Sequence, residues 1–142
     1  MKEVYTIEEV ARMSALSTRT IRNYLSLGLL DGEKQDGVWQ FTPEQFSNFL
    51  RQDMVRQSVR AKANSIVYDF LLLEKKPESA ACVILDLPIA PEAEEQLRSG
   101  LMDRVNAAGL QCSYHYSREN ASARVILAGS PDSAAKVIAE LQ

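Results

Sequence analysis

A short polar segment near the start of the chain carries side chains that are suited to contact nucleic acid. Residues 17–24 read Ser-Thr-Arg-Thr-Ile-Arg-Asn-Tyr. On a helix, one outer arc of this segment presents four polar side chains, which are those of Thr18, Arg19, Arg22 and Asn23. Arginine suits phosphate or guanine, asparagine suits adenine or phosphate, and threonine suits phosphate. The segment therefore predicts a recognition helix for the major groove of DNA, with Tyr24 either as a further contact or on the inner face.

Two helices with clear end signals are predicted to position this segment. Thr6 followed by Glu9 fits a capping box that opens the first helix, and Ser17 fits the cap of the second. Gly28 is placed to end the second helix in the left-handed conformation. Because a break at residues 14–16 separates the two helices, we expect a helix-turn-helix.

A turn-rich stretch after the second helix predicts a β-hairpin. Within residues 31–41, Gly32 precedes and Gly37 follows the pair Lys34 and Gln35. The returning strand is expected at Val38 to Phe41. Beside a helix-turn-helix, such a hairpin is a wing that touches the flanking DNA backbone. Lys34 and Gln35 are therefore weaker candidate contacts, because the tip of any hairpin is polar.

Residues 52–76 contain neither glycine nor proline and predict one long helix. Some of its apolar residues recur with the alternating spacing of a heptad seam, as in a coiled coil. These residues are Val59, Ala63, Ile66, Phe70 and Leu73. The favoured interpretation is a helix that pairs with its copy in a homodimer. The alternative is a helix that packs on the C-terminal part of its own chain.

Residues 80–142 change to a mixed pattern of strands and helices. The predicted order is β-α-β-β-α, which is a ferredoxin-like split unit without its fourth strand. A right-handed crossover between the first two strands would place the third strand between them. The first strand, at Ala81 to Leu87, is apolar on both faces and is expected to be buried, with one open edge. The role expected for this small α/β domain is effector binding or dimerisation.

Residues 5 to about 50 resemble the DNA-binding domain of the MerR family of transcription regulators. The matching strings are Tyr-Thr-Ile-x-x-Val-Ala at 5–11, Ser-Thr-Arg-Thr-Ile-Arg-x-Tyr at 17–24 and Gly-Leu-Leu at 28–30. The resemblance implies DNA contacts for Arg19, Arg22 and Lys34, and an antiparallel coiled-coil dimer through the helix that follows. It also implies that the protein distorts promoter DNA.

The wing departs from the family pattern. Residues 37–41 read Gly-Val-Trp-Gln-Phe where the family usually shows Gly-Tyr-Arg-x-Tyr. Trp39 thus replaces a basic residue that contacts phosphate, and we expect Trp39 to pack within the wing rather than probe DNA. The residues just after the seam also lack the cysteines that bind metal in the family's metal sensors, so no metal site is expected.

Charge and composition restrict where nucleic acid can bind. The chain of 142 residues has a formal net charge of −3, with 16 Lys+Arg against 19 Asp+Glu. The field of the whole protein therefore repels phosphate, and any DNA site must be a local basic patch. No signal peptide and no apolar run long enough for a membrane span are seen, so the expected location is the cytoplasm, with no membrane partner.

The chain offers no arrangement that is typical of an enzyme. Cys82 and Cys112 are far apart and are expected to be core thiols, and His115, the only histidine, is expected to face solvent. Asp86 stands alone in an apolar strand, and one carboxylate does not make an active site. We therefore expect no catalytic residue, no cofactor and no metal.

These observations predict an α+β protein in three parts. Residues 1–51 would form a winged helix-turn-helix, residues 52–76 a dimerisation or linker helix, and residues 80–142 a small α/β domain. The predicted function is a transcription regulator that binds an inverted repeat in promoter DNA as a homodimer, with an unidentified small-molecule effector. The alternatives are an excisionase-like architectural protein and an interaction module for proteins or small molecules that has no affinity for DNA.

Overall fold

The computed structural model describes residues 4–141, which form six helices and two small antiparallel sheets. The helices are α1 (Ile7–Ser14), α2 (Thr18–Ser26), α3 (Pro43–Arg51), α4 (Asp53–Leu72), α5 (Pro91–Ala108) and α6 (Pro131–Glu140). The strands are β1 (Glu33–Gln35), β2 (Val38–Gln40), β3 (Ala81–Pro88), β4 (Gln111–Ser117) and β5 (Ser122–Gly129). No helix in the described range is long and apolar enough to cross a membrane.

Helices α1 and α2 begin and end as their sequences predict. The hydroxyl of Thr6 accepts from the backbone of Glu9, whose carboxylate accepts from the backbone of Thr6, so the capping box is complete. Ser17 caps α2 by accepting from the backbone of Thr20. At the other end of α2, Gly28 has a φ of 76°. This left-handed residue lets the next backbone N–H reach back to the carbonyl of Tyr24 at 2.9 Å, which closes a Schellman motif.

The predicted wing is a two-stranded hairpin of β1 and β2. Glu33 pairs with Gln40, and the strands are joined by Asp36 and Gly37 alone. Both residues have positive φ values, 53° and 79°, which is the geometry of a type I′ turn. Asp-Gly is a favoured sequence for this turn, because the two residues tolerate the left-handed conformation better than most. A further bridge between Tyr5 and Phe41 ties the base of the wing to the start of the chain.

The long helix ends earlier than the sequence predicts. Helix α4 stops at Leu72, whereas the apolar pattern favoured a helix to residue 76. The ammonium group of Lys76 donates to the carbonyls of Phe70 and Leu73, at 2.7 and 2.5 Å, and lies 4.0 Å above the ring of Phe70. Lys76 thus satisfies terminal carbonyls of α4 from outside the helix, which also suits the helix dipole.

The second sheet has the order β3-β5-β4, with both pairs antiparallel. The third strand of the C-terminal part therefore lies between the first two, as the crossover argument predicted. Val125 and Leu127 on one face of β5 join the main apolar core with residues of α5 and α6. Ile126 and Ala128 face the other way and contact Ile66 of α4. The sheet is thus covered by α5 and α6 on one face and partly by α4 on the other.

The expectation that the first strand of this sheet is buried is wrong. Strand β3 is an edge strand, and Ile84 on its α4-side face is 53% exposed. Asp86 on the same face is exposed and forms a bidentate pair with Arg124 of β5, at 2.8 and 3.0 Å. The reason is that α4 lies over β4 and β5 and leaves the same face of β3 uncovered from Ile84 onward. An apolar sequence on both faces is therefore no proof that both faces are covered.

One apolar core runs through both halves of the chain. It includes Phe46 and Phe49 of α3 together with Leu101 and Val105 of α5. Helix α1 packs against both β4 and α5, and Arg12 donates to the backbone carbonyl of Asn106 at 3.0 Å. The N-terminal elements share their core with the C-terminal sheet and helices. The division into three domains stays a prediction.

Candidate nucleic-acid interface

The outer surface of α2 carries the polar arc that the sequence predicts. Thr18, Arg19, Arg22 and Asn23 are all exposed, while Ile21 on the opposite side of the helix is fully buried. Neither Arg19 nor Arg22 has an ion pair with a carboxylate in the described part of the chain. Both guanidinium groups can therefore bind phosphate or a base edge without first breaking an internal contact.

Tyr24 does not belong to this surface, which corrects its inclusion among the candidate DNA contacts. Its side chain is buried, at 7% exposure, and its ring lies edge-on to Phe49 with centroids 5.5 Å apart. Its hydroxyl lies 2.7 Å from the hydroxyl of Ser58 on α4. The spacing of Tyr24 from Ile21 was the sequence signal for this inner position, since residues three apart share a helix face.

The wing presents Lys34 and Gln35 to solvent, while Trp39 is half-buried against the core. The Trp39 ring stacks on Phe41 with centroids 6.1 Å apart and an interplanar angle of 11°. The Lys34 ammonium lies 5.3 Å from the centroid of the Trp39 ring on the paired strand. Trp39 therefore stabilises the hairpin and supports Lys34 through a cation–π contact, in line with the packing role expected for it.

The predicted dimer seam on α4 is largely used within the chain. Val59 and Ile66 are each 3% exposed, and Ala63 packs with Ile66 against the sheet. Phe70 is half-buried under Lys76, and Leu73 is exposed just beyond the end of the helix. This placement follows the alternative that the sequence left open, in which the helix packs on its own chain. A second group of apolar side chains near the end of α4 is exposed, and it consists of Tyr68, Leu71 and Leu72.

The remaining reactive side chains are placed as follows. Cys112 is fully buried, and burial raises the pKa of its thiol to about 12. Burial also raises the pKa of Cys82, which is half-buried. His115 is half-buried rather than fully solvent-facing, and its Nε2 accepts from Arg60 at 2.9 Å. Within residues 4–141, no group of three His, Cys, Asp or Glu side chains is arranged to hold a metal ion.

Sequence reasoning missed a cluster of arginines at the junction between the two halves. Arg51 ends α3, Arg56 lies in the first turns of α4, Arg98 lies in the middle of α5, and Arg118 follows β4. All four line the same cavity. These residues are spread over 68 positions of the sequence, so no motif or spacing could reveal that the fold brings them together.

The comparison with known families agrees with the geometry of the N-terminal part. The sequence model described as "MerR HTH family regulatory protein" matches residues 5–51, which is about a third of the chain. No curated protein matches the chain with significance, and neither does any solved structure. The match begins at the residue that bridges to the wing and ends at the last residue of α3. Residues 5–51 are therefore a helix-turn-helix domain of the MerR regulatory family, a type of domain that indicates DNA binding in transcription regulation.

Proposed function

We propose that this protein is a transcription regulator that binds an inverted repeat in promoter DNA as a homodimer. The observation that carries the proposal is the exposed arc of α2 within a MerR-type helix-turn-helix. Arg19 and Arg22 point away from the core there, next to Thr18 and Asn23, and they keep their hydrogen-bond donors available. The proposal assigns no catalytic activity, cofactor or metal to the chain.

The acidic balance of the whole chain is compatible with this proposal. A net charge of −3 weakens the attraction to DNA at long range, but contacts at the surface depend on local charge. Two unpaired arginines on α2 and Lys34 on the wing provide such a local basic patch. We therefore expect affinity that depends on a few close contacts and that falls as salt rises.

The exposed apolar end of α4 supports the dimer. Tyr68, Leu71 and Leu72 are each more than 60% exposed and share one face of the helix. Ile84 is exposed on the neighbouring edge strand, across an open groove. Contiguous exposed apolar groups of this kind mark interaction sites in soluble proteins. A second copy of α4 is the occupant that the MerR resemblance favours, with contacts shifted from the predicted seam to this face.

The experiment that tests DNA binding measures fluorescence anisotropy of the DNA upstream of the protein's own gene. Arg22→Ala removes a charged side chain that is exposed, so the fold should persist while affinity falls about tenfold or more at fixed salt. The matched control is Lys136→Ala, which removes an exposed charge from α6. Equal affinity of Arg22→Ala, Lys136→Ala and the unchanged protein would remove α2 from the interface.

The dimer is tested by light scattering of the unchanged protein and of Leu72→Glu. The substitution places a charge in the exposed apolar face, so it should shift the mass to that of a monomer. This monomer should remain folded. A monomeric unchanged protein that still binds DNA would favour the excisionase-like architectural role. Absence of DNA binding even at low salt would favour the interaction module.

A further inference from the structure

A cavity of about 230 Å³ lies where the helix-turn-helix domain, the long helix and the C-terminal sheet meet. Its walls come from the end of α3, the first turns of α4, the N-terminal half of α5 and the outer edge strand β4. Apolar side chains form part of the wall, including Leu50, Val59 and Tyr116. Because each part of the chain contributes residues, the cavity exists only in the assembled fold.

The charged lining of this cavity is strongly unbalanced. Arg51, Arg56, Arg98 and Arg118 line it together with a single carboxylate, that of Glu94. Glu94 is already engaged, since it accepts from the Tyr114 hydroxyl at 2.6 Å and lies 3.3 Å from the Nε of Arg98. In the range that the structure describes, no carboxylate pairs with the other three arginines. A chain with a net negative charge thus holds an excess of positive charge in one concave site.

His115 lines this cavity and also the neighbouring groove between α4 and the sheet. Arg60 is only a donor, so the Nε2 of His115 must accept in their 2.9 Å contact, which requires a neutral ring. Burial lowers the pKa of His115, and the nearby charges of Arg60, Arg56 and Arg124 lower it further. The histidine therefore adds no positive charge of its own and offers a neutral polar group beside the arginines.

We propose that this cavity binds a small organic anion, with a carboxylate or phosphate group held by the arginines and an apolar body against the tyrosine and aliphatic walls. Arginine binds both groups through charge-assisted hydrogen bonds, and a fork of donors suits their planar or tetrahedral oxygens. The small volume restricts the ligand to roughly the size of a single ring with its substituent. The buried Arg98–Glu94 pair would form a fixed floor, while Arg56 and Arg118 are the groups that close on the ligand.

A ligand in this place would contact the DNA-binding domain directly. Ser47, Leu50 and Arg51 of α3 line the cavity, and α3 packs on Tyr24 of the recognition helix through Phe49. Binding would therefore favour one orientation of the helix-turn-helix relative to the C-terminal sheet. This regulatory consequence rests on the proposed DNA-binding function, whereas anion binding itself does not.

The test uses three probes of similar size, which are benzoate, phenyl phosphate and neutral benzyl alcohol. Each is titrated at constant ionic strength into the full chain without DNA, and backbone amide shifts are followed by NMR. We expect saturable binding of at least one anion, with shifts at the cavity residues, and no saturable binding of benzyl alcohol. The stronger anion then identifies the preferred group as carboxylate or phosphate.

Two substitutions then locate the site. Arg56→Gln and Arg118→Gln should each weaken anion binding about tenfold or more, because each removes a charge-assisted contact. Lys62→Gln on the exposed side of α4 is the matched control and should leave the affinity unchanged. Arg98 is avoided, because its loss would leave Glu94 buried without its cation.

Three results would overturn the proposal. Failure of both anions to saturate at millimolar concentration would show that the cavity is no anion site. Equal binding of benzyl alcohol would show an apolar pocket without charge recognition. If Arg56→Gln and Arg118→Gln leave anion binding unchanged, as Lys62→Gln does, these arginines do not hold the anion. Because the titrations contain no DNA, their outcome does not depend on whether the protein binds DNA.

Discussion

Replacing Tyr24 by phenylalanine separates two roles that a tyrosine on a recognition helix can have. The sequence allowed Tyr24 to contact DNA, whereas the structure places its ring against Phe49 and its hydroxyl 2.7 Å from Ser58. The Ser58 hydroxyl donates to the carbonyl of Met54 at 3.2 Å, so the proton between the two hydroxyls belongs to Tyr24. Tyr24→Phe therefore removes one donor and keeps the ring.

The expected cost is the net value of one hydrogen bond, about 1 kcal/mol of unfolding free energy. In a chain of this size that corresponds to a fall in melting temperature of about 4 °C. The aromatic contact and the apolar burial of the ring remain, so the loss of several kcal/mol that is typical of truncating a buried aromatic to alanine should not occur. DNA affinity of the folded variant should stay within about twofold of the unchanged protein, because a core position carries no phosphate or base contact.

Thermal unfolding and anisotropy on the same samples provide the assay, with Ser58→Ala and the double variant completing a thermodynamic cycle. The coupling energy between Tyr24 and Ser58 should be about 1 kcal/mol, and the anisotropy should be read well below the transition. The reasoning is refuted if Tyr24→Phe melts like the unchanged protein while its DNA affinity falls tenfold. That outcome would place the hydroxyl on DNA and the side chain outside the core.

Three further predictions concern single side chains. Gly28→Ala should lower the unfolding free energy by about 1 kcal/mol, because it forces alanine into a left-handed φ of 76°, whereas Gly28→Asn should cost less in the same thermal melts. In a Cys82→Ser variant, Cys112 should not react with a thiol reagent in native buffer near neutral pH, because it is fully buried and burial raises the pKa of its thiol to about 12. A rapid reaction of Cys112 with the reagent would contradict this prediction. The pKa of His115 should lie below its ordinary value of about 6.5 in an NMR titration, and it should rise in Arg60→Gln. Because folding lowers this pKa, the stability contributed by the neutral ring is complete above the ordinary pKa and is lost as pH falls through the folded pKa. His115→Gln should therefore flatten the pH dependence of the unfolding free energy in that range.

The local elements of the N-terminal part could be predicted from sequence because their signals are short-range. The capping box at Thr6, the cap at Ser17 and the turn at Gly37 each act within four residues of themselves. The exposed arc of α2 follows from the same helical period. Such features depend on backbone geometry and nearest neighbours, so the rest of the fold does not change them.

The long-range features could not be predicted because they depend on which surfaces meet. The heptad spacing of Val59 and Ile66 is the same whether the partner is a second chain or the chain's own sheet. The exposure of Ile84 depends on how far α4 extends across the sheet, which no local pattern encodes. The arginine cluster has the same origin, since Arg51 and Arg118 line one cavity only because the fold brings the ends of α3 and β4 to the same place.

A continuous path of contacts leads from the arginine-lined cavity to the recognition helix. The cavity touches α3 and α4, Phe49 of α3 packs on Tyr24, and Ser58 of α4 holds the hydroxyl of Tyr24. Tight packing transmits a displacement only if the elements have two arrangements to choose between. The cavity is lined by residues of α3, α4, α5 and β4, so a ligand bound there would contact elements of both halves of the chain. If the cavity binds a ligand as proposed, these contacts would favour one arrangement, and we therefore expect ligand binding to change the affinity for DNA.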